Sequence, residues 1–178
     1  MRTLSVIALC LAALGMATEA NAGMLGGTVE YTYLFPDTST VFEGPVDSVV
    51  GAGPEFFIFG VSPVDISDTQ ITIDWSAFTG SFFIASSFNG TSFFDVFATL
   101  DPFTSVTING ATTFSSFSAG RISFDADHIL LNFQDLVLNP GETLLVLDVN
   151  TAVPEPATLL LLGLGLTGAV ARRRRAIN

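Results

Sequence analysis

Through most of positions 25 to 150, apolar and polar residues alternate with a period of two rather than 3.6, and that period belongs to strands. In "TQITIDW", Ile71, Ile73 and Trp75 alternate with Thr72 and Asp74, the pattern of a strand with one buried face. Asn109-Gly110 divides the β-prone run "SVTINGATTF", and Asn89-Gly90 stands between "SFFIASSF" and "TSFFDVFATL"; an Asn-Gly pair so placed predicts a type I′ hairpin at each point. Farther on, "GRISFD", "HILLNF" and "ETLLVLDV" are separated by Ala126-Asp127 and by Asn139-Pro140-Gly141, which is turn chemistry again. Eight to ten short strands result, with no helical stretch of useful length between them.

An all-β domain of this size must bury its sheet edges by pairing two sheets or closing a barrel. The expected fold is all-β: a jelly-roll-like or other two-sheet antiparallel β-sandwich. Three aromatic doublets, Phe56-Phe57, Phe82-Phe83 and Phe93-Phe94, complicate it, because neighbours on a strand face opposite ways. The favoured expectation is burial of both rings beneath the second sheet or loops; the alternative is aromatic surface left open for a partner.

The two ends break the pattern. "MRTLSVIALCLAALGMATEANAG" offers Arg2, an apolar run from Leu4 to Ala17 and the small-x-small triplet Ala20-Asn21-Ala22, the layout of a secretory signal cut after Ala22. The chain closes with "VPEPATLLLLGLGLTGAVARRRRAIN". Pro154 and Pro156 bracket Glu155 and favour an extended, accessible backbone. Residues 157 to 171 then carry no charge and would span about 22 Å as a helix. That is shorter than the ~30 Å hydrocarbon core, so the predicted membrane helix is a marginal anchor. Arg172, Arg173, Arg174 and Arg175 would hold its far end on the cytoplasmic side. The expected organisation is a signal peptide over 1–22, an exported all-β domain over 23–152, and a sorting segment over 153–178.

Val153-Pro154-Glu155-Pro156, a Leu/Gly-rich apolar helix and a terminal Arg cluster together resemble the PEP-CTERM sorting signal of exported Gram-negative proteins, many from makers of exopolysaccharide. The resemblance covers about the last 26 residues. It implies recognition of Pro154, Glu155 and Pro156 by an exosortase, a membrane-embedded cysteine transpeptidase, with 157–171 as a transient inner-membrane segment and Arg172 to Arg175 as its stop. An ordinary uncut C-terminal anchor is the plainer alternative. The implied partners are Sec-type export, signal peptidase, the exosortase and exopolysaccharide. The implied destination is the cell surface or the extracellular matrix, reached through a tethered precursor.

Charge and composition narrow what the body does. Residues 23 to 153 hold fifteen acidic side chains against Arg121 alone, and the chain has no lysine. Such a body repels phosphate backbones, so nucleic acid is not an expected partner. The sole cysteine, Cys10, falls in the segment expected to be removed, and bulky Leu9 before it argues against a lipoprotein signal. No disulfide or thiolate chemistry is therefore expected in the mature protein.

Candidate chemistry is thin. His128 is the only histidine and no Gly-x-Ser-x-Gly turn presents a serine, so His128 is expected to be structural or merely exposed at the start of a strand. Glu30, Glu43, Glu55 and Glu142 lack a context that would mark paired carboxylates for glycoside hydrolysis. Asp125-x-Asp127 and Asp65-x-x-Asp68 put carboxylates beside turns, where calcium binding competes with simple turn capping. The expected protein is not an enzyme and uses no cofactor: an exported surface or matrix protein, with a carbohydrate- or calcium-binding module as the alternative and a secreted hydrolase behind it.

Replacing Arg172, Arg173, Arg174 and Arg175 together by Glu is expected to disturb sorting and leave precursor unprocessed, as read by cell fractionation and immunoblotting against the body. A tail variant that sorts and matures like the parent contradicts this reading.

Overall fold

Ile71 and Ile73 are buried and Thr72 and Asp74 are not, as the alternation in "TQITIDW" requires of a strand with one inward face. A computed structural model describes residues 23–152 and contains ten strands: β1 (Thr28–Leu34), β2 (Val41–Val49), β3 (Phe56–Ile58), β4 (Ser62–Ile66), β5 (Gln70–Asp74), β6 (Gly90–Phe94), β7 (Phe103–Ile108), β8 (Ile122–Phe124), β9 (His128–Asn132) and β10 (Leu144–Thr151). The helical content of the described residues is two single 3₁₀ turns, Ser76–Phe78 and Ala119–Arg121. No helix among these residues is long and apolar enough to cross a membrane. Ala22, Val153 to Pro156, the helix expected over 157–171 and Arg172 to Arg175 lie outside the described residues.

The strands form two five-stranded antiparallel sheets, ordered β2-β1-β6-β9-β8 and β3-β4-β5-β10-β7. Inward side chains of both, including Val29, Tyr31 and Leu131 from the first and Ile58, Ile73 and Leu147 from the second, belong to one continuous core. This is a two-sheet β-sandwich, as expected in outline. The connections β1–β2, β3–β4–β5 and β8–β9 stay within one sheet, while β5, β6, β7 and β8 alternate between the two. The links β2–β3 and β9–β10 also cross from sheet to sheet.

Aromatic rings join the two layers. Tyr31 of β1 stacks on Phe56 of β3 at 5.3 Å between centroids and lies 6.1 Å from Phe93 of β6. A second cluster gathers Trp75, Phe83, Phe114, Phe117 and Phe133, with Trp75 set edge-on to Phe83 at 5.1 Å and to Phe133 at 5.2 Å. Each such pair contributes about 1 kcal/mol beyond the burial of its area.

Two of the expected hairpins are absent. Asn109 and Gly110 do not adopt the positive φ that a type I′ turn needs. Instead the Asn109 Oδ1 accepts the Ala111 N–H at 2.8 Å, and its amide donates to both oxygens of Asp148 on β10. The chain then stays beside β10, where the Thr113 and Phe114 N–H groups donate to Leu144 O, and buried Phe114 and Phe117 draw it into the core instead of letting it return as a strand. Asn109 O still accepts the Thr112 N–H, so a turn forms there without the hairpin, whereas Asn89-Gly90 is no turn: Asn89 is buried and Gly90 is the first residue of β6. A Cβ on Gly90 would sit 1.8 Å from Leu131 O of β9, so glycine is required there by the neighbouring strand and not by a turn. The turns at Ala126-Asp127, between β8 and β9, and at Asn139-Pro140-Gly141, closed by the Glu142 N–H on Asn139 O, are as expected.

The aromatic doublets also depart from the favoured expectation. Phe56, Phe83 and Phe93 are buried, whereas Phe57 and Phe82 are exposed and Phe94 is half-buried against His128. Each doublet has one ring in the core and one outside it, because the sheets are covered on their inner faces alone.

Gly90→Ala is expected to destabilise the protein by about 3 kcal/mol or more in urea unfolding, because the added methyl group overlaps β9 backbone. Gly110→Ala, with open space at its Cβ, should stay within about 0.5 kcal/mol. Equal effects at the two glycines contradict the strand assignment of Gly90.

Candidate functional site

At one end of the sandwich the sheets part around an aromatic cleft of about 250 Å³. Tyr33 at the end of β1 and Phe42 at the start of β2 come from one sheet, and Phe59 and Trp75, which follow β3 and β5, from the other. The segment from Ser81 to Ile84, irregular apart from a single bridge between Phe82 and Val137, supplies the remaining side. No ionisable group other than the Tyr33 phenol lines the cleft.

The turn between β3 and β4 sets one wall. Phe59 has a φ of 52°, in the left-handed region where a bulky residue is strained, and Gly60 follows at 73°. Glu43 of β2 holds this conformation: its two oxygens accept the Phe59 N–H at 3.0 and 3.1 Å, and one of them also takes the Tyr31 hydroxyl at 2.9 Å. The Phe59 ring is thereby fixed 4.7 Å from Tyr33 and edge-on to Phe42 and Phe78. Deeper in, the Tyr33 hydroxyl donates to Asn89 Oδ1 at 2.6 Å, and the Asn89 amide donates to Ile84 O. Trp75 Nε1 is buried without a hydrogen-bond partner among the described residues.

Sequence reasoning missed this cleft. Its residues are scattered in separate stretches from Tyr33 to Leu138, and the only local hints were the strand-breaking Phe59-Gly60 pair and the doublet at Phe82-Phe83.

His128 opens β9, as expected, and its ring stacks on Phe94 at 4.0 Å with an 8° interplanar angle. Its Nδ1 lies 2.8 Å from Asp127 Oδ1, while Asp125 Oδ1 accepts the N–H groups of Asp127 and His128. Those two backbone donors hold the Asp125 carboxyl below the usual carboxylate range. Asp125, Asp127 and His128 lie close enough together for a shared cation, but these hydrogen bonds already account for them as the cap of the β8–β9 turn. Asp68 likewise serves structure, accepting the Leu25 N–H and, through its carbonyl, the Met24 N–H.

Residues 152–175 match the family model of the PEP-CTERM protein-sorting motif, a span that contains Val153 to Pro156 and Arg172 to Arg175. No curated protein and no solved structure matches the chain. A β-sandwich body followed by this motif defines the class: an exported protein, sent to the cell envelope or surface and processed by an exosortase, which is a membrane protein.

Tyr31 and Tyr33, the only tyrosines of the chain, give the cleft and the adjoining core a pH signature. Burial first, and then the Glu43 carboxylate, push both phenols far above their ordinary range. The unfolded chain loses these protons near pH 10 while the folded protein keeps them. Stability is therefore whole below about pH 10 and falls above it, by up to about 1.4 kcal/mol per pH unit for each tyrosine. Phenolate absorbance followed through an alkaline titration should rise together with loss of the fold. Independent ionisation near pH 10 in a protein that stays folded contradicts the buried geometry.

Proposed function

We propose that this protein is a non-catalytic component of the cell surface or exopolysaccharide matrix, delivered through its C-terminal signal. Cleavage after Ala22 by signal peptidase would follow Sec-type export. The precursor would be tethered in the inner membrane by residues 157–171, with Arg172 to Arg175 on the cytoplasmic side. Recognition at Val153, Pro154, Glu155 and Pro156 would then separate the body from that tether.

The match to the sorting motif is the observation that carries this reading. The acidic body supports it, since a net charge near −14, one arginine against fifteen acids, keeps a secreted protein soluble and off phosphate polymers. The absence of catalysis is supported by what lines the cleft: aromatic and aliphatic side chains with Ser81 and Asn89, and none of the carboxylate pairs that a glycosidase needs.

Intact-mass measurement on protein recovered from the envelope and the medium of expressing cells tests the processing scheme. The expected mass begins at residue 23 and lacks residues 157–178. A recovered protein that still contains 157–178 overturns the scheme in favour of an uncut anchor.

A further inference from the structure

We propose that the cleft between Tyr33, Phe59 and Trp75 is a binding site for one small uncharged aromatic molecule of about two rings. The size argument is direct: an apolar cavity of about 150 Å³ accommodates benzene, and this cleft offers about 250 Å³.

Its chemistry selects the class of guest. An anion meets no counter-ion, since the body's only cation, Arg121, donates to the carbonyls of Asn132 and Gln134, and the surrounding charge is strongly negative. A sugar would bring several hydroxyls to walls whose unspent polar groups are Trp75 Nε1 and Ser81, too few to pair them. The Tyr33 hydroxyl and the Asn89 amide are spent on each other and on Ile84 O, and unpaired hydroxyls in an apolar site are costly. An aromatic guest suits the walls better than an alkyl chain. Phe35 and Phe42 meet at 88°, Phe42 and Phe59 at 87°, and Phe59 and Phe78 at 90°, an edge-to-face series that another ring can continue.

Two further observations indicate that the cleft is built and held open. Strain at Phe59 persists because Glu43 bonds its N–H from the opposite sheet, and the same contact keeps the ring in the wall. At the mouth, Phe42, Phe82 and Ile84 are 63%, 71% and 57% exposed, an apolar rim that folding alone would have covered. This inference is independent of the sorting scheme, and either can fail without the other.

The test is a fluorescence titration of the protein recovered from cells with neutral 1-aminonaphthalene, a two-ring fluorophore. Parallel arms use naphthalene as an uncharged competitor, naphthalenesulfonate as an anion and a neutral oligosaccharide. One saturable site per chain is expected, displaced by naphthalene and not by the other two. Ile84→Arg, which sets a charge in the rim, should weaken binding by about tenfold or more; Phe82→Arg carries the same expectation should the first variant fold poorly. Phe97→Ser, which removes an exposed ring that does not line the cleft, should bind like the parent. Displacement by the oligosaccharide, unsaturable binding, or equal losses in the rim variants and Phe97→Ser overturns the proposal.

Discussion

Contact between aromatic rings across the two sheets is the constraint on which the rest of this structure depends. The described residues contain no cysteine and one arginine, so disulfides are excluded and strong ion pairs are almost so; the one basic side chain beside carboxylates among them is His128, next to Asp125 and Asp127. Cohesion must then come from apolar burial. The side chains that cross the gap are large: Tyr31 on Phe56, and Trp75 against Phe83 and Phe133. The same rings that close the sandwich at its centre fail to close it at one end, and the cleft is what they leave.

Polar groups in this core act as rivets. Glu43 ties β2 to the β3–β4 turn and receives the Tyr31 hydroxyl, and Asn89 receives the Tyr33 hydroxyl from 56 residues away. Each satisfies a group that burial would otherwise penalise. Both sit beside the cleft, so the arrangement that stabilises the fold there also shapes its concave surface.

How much could be read from the chain depended on whether the information was local. The strands β5, β9 and β10 were legible because Ile71 and Ile73, Ile129 and Leu131, and Leu145, Leu147 and Val149 alternate toward a single core. Asn89-Gly90 misled because its local preference for a turn was overruled by partners distant in sequence, Tyr33 and Leu131; Asn109-Gly110 does turn, with the Thr112 N–H on Asn109 O, but Asp148 and the burial of Phe114 keep the chain beside β10 instead of returning it as a hairpin. The cleft was not legible because no short window holds Tyr33, Phe59 and Trp75 together. The sorting motif was the reverse case, contiguous and ordered, and a family comparison finds it in the same residues. Its residues are contiguous, so the match draws on sequence and needs nothing from tertiary structure.

On this account the sandwich is a self-sufficient cargo and the terminal segment only directs it. The most direct test is equilibrium urea unfolding of residues 23–152 produced without either end, followed both by the fluorescence of Trp75, the chain's single tryptophan, and by far-ultraviolet circular dichroism, with and without a chelator. The account predicts one cooperative transition, coincident in the two signals and unmoved by the chelator. Separate transitions, a molten body lacking fixed packing around Trp75, or collapse on metal removal would contradict it.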